Sequence, residues 1–314
     1  MRFRWIAAAG ILVSAAQIIC AADPGLVSLA MPDARIMAGI DVEQTRRSPF
    51  GQYVMSEIAE REPGLQLLID ATGFDPLHDL REILLASPGQ AGSRSGVILA
   101  RGTFDVARIT GAVLSQGQTA GTYKGVEILS SKTGKDSLAF LDGTLAIAGD
   151  DADVRAAIDR RSASSGIGAD LAAQVNQLST TEDAWFVTLV PPAQLQNFGA
   201  TLSKVQQANG GVKFGTSVVL TAQTVSQTDK DATALAETLK MLANVAQISS
   251  PKGWVASTAG LLQNLSVAAA GQTTTVSLSV PEQQVEQIIK ASQSNGHHRL
   301  AAAPAQPANP PLLP

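Results

Sequence analysis

Cysteine and aromatic side chains are scarce in this 314-residue chain, and each scarcity excludes a class of function. The single cysteine, Cys20, lies in an N-terminal segment that we expect to be removed, so the mature chain has no disulfide and no thiol chemistry. Aromatic residues make up 4% of the sequence, which leaves few stacking platforms for bases or sugars. An exported chain without cysteine fits a bacterial periplasm or envelope better than a disulfide-stapled extracellular module.

Clusters of basic residues are also lacking. The whole chain has 23 basic and 27 acidic residues, and losing Arg2 and Arg4 with the N-terminal segment would leave a net charge of about −6. The densest basic stretches are the pairs Arg46-Arg47 and Arg160-Arg161. Because binding to phosphate backbones needs basic clusters, the sequence argues against a nucleic-acid partner.

The N-terminus has the pattern of a secretory signal peptide, residues 1–22. A basic start is followed by an uncharged, weakly apolar run from Trp5 to Ala22, with small residues before Asp23. We therefore predict cleavage between Ala22 and Asp23 and a periplasmic or secreted mature protein. No stable membrane span is expected after that cut.

Two other interpretations of this segment compete with a removed signal. Cys20 could carry a lipid anchor, but Ile19 stands just before it, where such an anchor wants a small residue. A retained membrane helix is the other, since about 18 apolar residues nearly span a bilayer. The run is rich in alanine rather than leucine, which favours a removed signal.

One stretch organises the mature chain as an ordered series of apolar segments. Asp142-Gly143 between two of them is a strong hairpin signal, and Thr103 or Asp105 can cap the first helix. The series predicts strand Gly96–Gly102, helix Phe104–Ser115, strands Tyr123–Ser131, Ser137–Leu141 and Thr144–Gly149, and helix Asp151–Arg161.

The segments before and after this stretch follow related patterns. Before it we predict strand Ala34–Val42, a helix capped by Ser48 with Pro49 at its first position, helix Leu65–Ala71 ending at Gly73, and strand Leu80–Ser87. After it we predict strand Ala184–Val190, helix Leu195–Ala208, strand Val212–Ser226, helix Asp229–Ile248, a hairpin of Leu261–Ala270 and Thr273–Val280, and a helix starting at Pro281. In helix Asp229–Ile248 we expect an inward apolar stripe of Leu235, Leu239, Leu242 and Ala246.

The order of elements in the first half returns, more weakly, in the second. We therefore predict an α+β fold of mostly antiparallel sheets with helices packed on one face and two pattern-related halves. The halves would form two sheets or one continuous sheet. The predicted divisions are a first half at 23–161, a linker at 162–168, a second half at 169–293 and a Pro/Ala-rich solvated tail at 294–314.

Four segments carry a resemblance to known sequences: the strand Arg35–Val42, the helix start Ser48-Pro49-Phe50, the run Leu138–Asp150 and the helix Asp153–Arg161. In these segments the chain resembles a group of uncharacterised exported bacterial proteins classed as domains of unknown function. The resemblance spans most of the mature chain, and it implies an envelope location with an unknown role. It carries no catalytic residues to this sequence.

Candidate catalytic and phosphate-binding residues are isolated from the partners that the chemistry requires. His78 is the one histidine of the predicted folded region, and no Gly-x-Ser-x-Gly elbow accompanies it. We expect a loop histidine near a helix cap. Gly134-Lys135 lacks the upstream glycine of a phosphate loop, because Leu129 stands there, so a hairpin turn is the better interpretation.

Candidate metal ligands are equally incomplete. Asp150, Asp151 and Asp153 lack the glycine and glutamate of a calcium loop, and helix capping explains them better. His297-His298, adjacent in the tail, would make only a weak metal site. No catalytic, cofactor-binding or metal-binding residue and no cofactor is therefore predicted.

Two functions remain open from the sequence. The first is a non-enzymatic envelope protein that binds another macromolecule, such as an envelope protein. The second is a periplasmic carrier of a lipid or other apolar ligand, held in a dry cavity between a curved sheet and its helices.

Overall fold

The computed structural model describes residues 22–90, 95–163, 166–189, 202–248 and 264–287. Their strands form one twelve-stranded sheet in which every neighbouring pair is antiparallel. The strands are β1 (Ile36–Asp41), β2 (Leu80–Ser87), β3 (Val97–Gly102), β4 (Thr119–Tyr123), β5 (Val126–Ser130), β6 (Asp136–Asp142), β7 (Leu145–Asp150), β8 (Ala184–Thr188), β9 (Val205–Lys213), β10 (Ser217–Ser226), β11 (Leu265–Ala270) and β12 (Thr273–Pro281).

Nine α-helices accompany the sheet in the described part of the chain up to Ile248. They are α1 (Pro24–Val27), α2 (Val42–Arg47), α3 (Pro49–Arg61), α4 (Pro63–Thr72), α5 (Pro76–Asp79), α6 (Val106–Ser115), α7 (Asp151–Arg160), α8 (Ala169–Thr181) and α9 (Asp229–Ile248).

The strand order repeats outward from the centre of the sheet. The order is β11-β12-β10-β9-β8-β1-β2-β3-β7-β6-β5-β4, so β1 and β8 meet in the middle. In each direction the third strand, β3 or β10, is followed by a helix, α6 or α9. The same third strand pairs with the second strand of the hairpin that comes later in the chain, which is β7 of β6–β7 or β12 of β11–β12. The predicted fold class is confirmed, and of the two predicted arrangements the sheet is the continuous one.

Apolar side chains cover both faces of this sheet. The larger cluster, on what we call the core face, joins strand residues such as Met37 and Leu99 to Leu26 of α1, Val154 of α7 and Leu171 of α8. The opposite face, called the open face here, packs against α6 and α4 around Phe104 and Ile109. The helices are therefore divided between the two faces instead of being gathered on one.

The predicted helix Leu195–Ala208 and the single strand Val212–Ser226 are wrong where the structure describes them. Leu202–Lys204 is a short 3-10 turn, and β9 begins at Val205. A bulge at this end of the β9–β10 ladder lets Val205 and Ala208, three apart, both be buried. A strand with a bulge can therefore bury two residues whose spacing is typical of a helix. Residues 190–201 lie outside the described part.

Three further differences correct the sequence interpretation, one hairpin and two helices. The predicted strand Tyr123–Ser131 is a hairpin, β4 and β5, because Lys124 and Gly125 both take positive φ, at 49° and 81°, as a tight turn requires. Helix α8 was not predicted, although Leu171, Val175 and Leu178 recur on one helical face and are buried. The short helix α2 was also missed.

Helix α9 has the predicted bounds, but its apolar stripe is buried only along its first half. Leu235 is 1% exposed, whereas Leu242, predicted to point inward, is 52% exposed. The helix predicted to start at Pro281 follows β12, which includes Pro281: residues 282–287 are helical, and the residues after them lie outside the described part. The second half of α9 therefore presents apolar side chains to solvent.

The predicted caps are confirmed at Asp105 and Ser48. Asp105 accepts from the Arg108 amide at 3.1 Å, and Ser48 Oγ accepts from the Gly51 amide at 2.9 Å while donating to the Thr45 carbonyl. We expect Ser48→Ala to lower the free energy of unfolding by about 1–2 kcal/mol, because the cap is buried and its removal leaves an unpaired amide. Urea unfolding followed by circular dichroism measures the change.

Ser56→Ala provides a matched control for the cap variant. Ser56 lies in the same helix, is exposed, and donates only to the Tyr53 carbonyl. Its loss should cost less than about 0.5 kcal/mol. Equal effects of the two variants would show that the Ser48 cap contributes nothing specific.

Candidate functional site

The catalytic candidates considered from the sequence do not come together. His78 lies in α5 with its side chain 74% exposed, and its Nδ1 is 2.6 Å from Asp75 Oδ2, the N-cap carboxylate of the same short helix. Gly134, with φ of 69°, closes the turn between β5 and β6, as predicted for Gly134-Lys135. His297, His298 and Cys20 lie outside the described residues.

The predicted capping of α7 by acidic side chains is wrong: Asp150 is the N-cap residue, but its side chain makes no capping hydrogen bond, and Asp151 and Asp153 bond to other partners. Asp151 accepts from Arg155 and from the Ser137 hydroxyl, and the bond from Arg155 holds the pKa of Asp151 below its usual value. Asp153 accepts from the Ser95 hydroxyl and the Gly96 amide, which ties α7 to the start of β3. Among the residues that the structure describes, no group of three or more possible metal ligands occurs.

The clearest site is an apolar cavity of about 350 Å³ between the open face of the sheet and the helices α4 and α6. Thr72 contributes its one polar side chain, and that hydroxyl already donates to the Leu68 carbonyl at 2.6 Å. The lining residues come from three helices, four strands and the segments between them: Leu68, Thr72, Phe74, Pro76, Leu80, Ile83, Ile98, Ala100, Phe104, Ile109, Val113, Leu138, Phe140, Ala146 and Ala148.

The strand register explains why a cavity exists at this position. Ala100 of β3 lies directly opposite Ala146 of β7, and the larger Ile83 and Phe140 flank this pair on the outer strands. Residues opposite one another in antiparallel strands share a face. Two methyl side chains therefore form a low floor between taller neighbours, and the helices above do not fill the space.

One end of this cavity is closed by aromatic rings. Phe104 lies between Phe74 and Phe140, with both ring centroids 5.4 Å away. At the other end Ile98 is 47% exposed and opens the cavity to solvent, and Leu68 on α4 is 38% exposed. The arrangement is an apolar pocket that is partly open to solvent, which suits a hydrocarbon chain.

A second, more polar cavity of about 520 Å³ adjoins the first. Ile98 and the opposite residue Ala148 line both, so the two cavities meet at this cross-strand pair. The polar side chains of the second cavity belong to Ser87, Ser95, Asp136 and Asp150. None of the described residues lining either cavity is basic.

Sequence reasoning did not locate this site. A dry cavity was predicted only in general terms, from the apolar composition and from Val212–Ser226, which belongs to the other half. The local signals were the small residues Ala100, Ala146 and Ala148, and their meaning depends on a register that joins residues about 46 positions apart.

The helices are also unsuited to crossing a membrane. Within the described residues, none combines the length and apolarity needed to span a bilayer.

Comparison with known proteins gives a likeness of fold alone. No protein-family model and no curated protein sequence matches this chain. Solved structures of TP0453 in three crystal forms do match. Crystal form III gives a TM-score of 0.52 at 9% identity over 85% of this chain and 97% of that one; form I gives 0.51 at 10% over 87% and 99%. Crystal form IV gives 0.53 at 10% identity over 84% and 95%. The described architecture is therefore one that a solved protein also adopts over nearly its whole length.

Proposed function

We propose that this protein is a non-enzymatic binder of an amphiphilic small molecule in the periplasm or outside the cell. The hydrocarbon part of the ligand occupies the apolar cavity, and its polar end lies in the adjoining cavity. The observation that carries the proposal is the apolar cavity beneath α4 and α6. Its volume of about 350 Å³ is within the size range of small-molecule sites. It is the carrier function expected as the second possibility from the sequence.

Burial of hydrocarbon in this cavity sets the affinity that an alkyl chain alone can reach. Burying about ten methylene groups would contribute about 8 kcal/mol, at about 0.8 kcal/mol for each group. The loss of translational and rotational freedom on association offsets a large part of this gain. A gain of about 8 kcal/mol would correspond to a dissociation constant of about 1 μM before this loss. With a loss of about 4 kcal/mol, we expect a single alkyl chain of this length to bind with a dissociation constant of about 1 mM, and contacts of the head group to tighten the binding.

The charge around the second cavity indicates which head groups fit. Asp136 and Asp150 contribute carboxylates, and Ser87 and Ser95 contribute hydroxyls. An anionic head group would meet these carboxylates, and none of the described lining residues is a cation that could pair with it. A hydroxylated or cationic head group finds hydrogen-bond acceptors there. The ligand class is thus a neutral or cationic amphiphile.

Displacement of a fluorescent probe tests both parts of this proposal. The mature protein is saturated with 1-N-phenylnaphthylamine and titrated with three dodecyl compounds below their micelle concentrations. Their heads are maltoside, trimethylammonium and sulfate. We expect the neutral and cationic compounds to displace the probe at concentrations at least about tenfold lower than the sulfate, since one charge-assisted contact is worth about 1.5 kcal/mol or more.

Three outcomes decide the matter. Displacement in the expected order supports the amphiphile and its head-group class. Displacement by all three compounds alike supports the apolar cavity and removes the head-group assignment. A probe that stays dark with the folded protein, while native and denaturing mass spectra give the same mass, would overturn the function.

A second candidate function, binding of another macromolecule, rests on the exposed half of α9. Met241, Leu242 and Val245 are 59%, 52% and 50% exposed and lie close together on this helix. Adjacent exposed apolar side chains of this kind mark contact surfaces. If this surface binds an envelope protein, Leu242→Lys should abolish co-purification of that protein from envelope extract while leaving probe binding intact. Unchanged co-purification would exclude this surface.

A further inference from the structure

A row of charged side chains crosses the core face at one end of the neighbouring strands β1, β2 and β3. Asp41 of β1, Glu82 of β2 and Arg101 of β3 stand opposite one another in the ladders, so they share a face. Asp23, just before α1, lies over this row. Its carboxylate accepts from Arg101 Nε at 2.7 Å, and its backbone nitrogen donates to both carboxylate oxygens of Glu82, at 3.2 Å and 3.1 Å.

This cluster has more negative than positive charge. Asp23, Asp41 and Glu82 contribute three carboxylates against the one guanidinium of Arg101. Burial raises the pKa of Glu82 to about 7, and the charges of Asp23 and Asp41 act in the same direction, while Arg101 and the Asp23 amide oppose them. A second cation beside Glu82 would complete the pairing.

The backbone nitrogen of Asp23 is held in place by contacts that lie after it in the chain. Asp23 Oδ1 accepts from the Gly25 amide at 2.7 Å, and the Asp23 carbonyl accepts from the Leu26 amide at 2.9 Å. Leu26 is fully buried in the core. The nitrogen therefore keeps its position opposite Glu82 whether or not Ala22 is attached to it.

We propose that cleavage between Ala22 and Asp23 creates the missing cation, and that Glu82 is the binding site for the new α-ammonium group of the mature chain. Hydrolysis breaks the Ala22 carbonyl carbon–Asp23 nitrogen bond. The hydroxyl of water joins the Ala22 carbonyl carbon, and the nitrogen gains a proton from water and a second proton from solvent. A hydrogen bond from a neutral amide to a buried carboxylate becomes one from a cation, so the contact becomes an ion pair. Because Ala22 is 6% exposed against the core, the cut precedes folding of the mature chain.

The pH dependence of the protein's stability follows from what Glu82 pairs with, the α-ammonium after the cut or the Asp23 amide without it. The α-ammonium gains a partner on folding, so its pKa rises above the ordinary value of about 8. The pairing needs both charges, so its stabilising contribution is lost as the pH falls and Glu82 takes up a proton. It is lost again as the pH rises through the folded-state pKa of the α-ammonium. Without the cut, Glu82 keeps its raised pKa, and stability falls as the pH rises from the ordinary glutamate range to about 7.

Two mature chains differing only at the start test the proposal. One begins at Asp23 and the other at Ala21, so that in the second the Asp23 nitrogen stays an amide. At pH 7 the first should unfold about 2–4 °C higher, and Glu82→Gln should remove this difference. The pKa of the N-terminal amine is measured from the pH profile of its acetylation, read by mass spectrometry of the N-terminal peptide. In the chain that begins at Asp23, this pKa should be at least about one unit higher than in the same chain carrying Glu82→Gln.

Glu127→Gln, at an exposed position on β5, is the control and should leave the amine profile unchanged. The acetylation profile needs only the folded protein at ordinary temperature, so the test survives a moderate loss of stability in Glu82→Gln. Either of two results would overturn the proposal. One is an amine pKa that is the same in the natural chain and in Glu82→Gln, and the other is a mature N-terminus other than Asp23 in protein purified from the envelope.

Discussion

Trp185→Ala is expected to lower the free energy of unfolding by about 3–5 kcal/mol, the range for removing a buried large aromatic side chain. Trp185 lies on β8 with 6% of its surface exposed, directly opposite Gly39 of β1. Its ring fills the space above that glycine, since a methyl group at Gly39 would lie 2.5 Å from ring atoms. The pair sits at the seam where the two halves of the sheet meet, so the loss weakens their connection.

Urea unfolding followed by far-ultraviolet circular dichroism measures this effect. Phe186→Ala is the matched control, because Phe186 is the next residue, points to the opposite face and is 42% exposed. It should cost less than about 1.5 kcal/mol, since much of its ring is already in water. If Trp185→Ala costs no more than the control, the seam does not depend on this ring. A lower denaturant slope in Trp185→Ala would show that the halves have begun to unfold separately.

Gly39 allows a sharper test of the same contact. Gly39→Ala should be destabilising in the natural chain because of the close ring, and much less so when Trp185 is already alanine. The two substitutions should therefore couple, by an energy on the order of 1–3 kcal/mol for residues in direct contact. Additive effects would contradict the packing described for the seam.

Most elements were predictable from local signals that tertiary contacts leave unchanged. The Asp142-Gly143 turn fixes the β6–β7 hairpin, and the capping residues Ser48 and Asp105 fix the starts of α3 and α6. Helix α9 matched its predicted bounds because its apolar residues recur over twenty positions. The duplicated order followed from these elements, and it led to the correct fold class.

The errors arose where pairing between distant segments overrides a local pattern. Val205 and Ala208 have helical spacing, yet β8 and β10 take them into the sheet with a bulge. The cavity is the extreme case, because its alanine floor is recognisable only after β3 and β7 are placed side by side. The charge cluster at Glu82 likewise joins residues from α1 to β3 that no spacing rule relates.

The largest effect on binding is expected from filling that alanine floor. Ala100→Phe would place a phenyl ring beside Ala146, in the space between Ile83 and Phe140. We expect probe affinity to fall at least about tenfold, because the ring occupies volume that the hydrocarbon would otherwise fill. The same ring should raise the free energy of unfolding by about 1 kcal/mol, since it buries apolar surface in space that is now empty.

These two effects have opposite signs, and this separates the cavity from a merely structural role. A substitution that damages the fold would lower stability and binding together, whereas a ring that fills a ligand site lowers binding while stability holds or rises. Ala268→Phe, an equal change at an exposed position on β11 outside the cavity, should alter neither quantity beyond about 0.5 kcal/mol. If Ala100→Phe binds the probe as the natural chain does, the hydrocarbon site lies elsewhere, and the Leu242 surface on α9 becomes the region to test next.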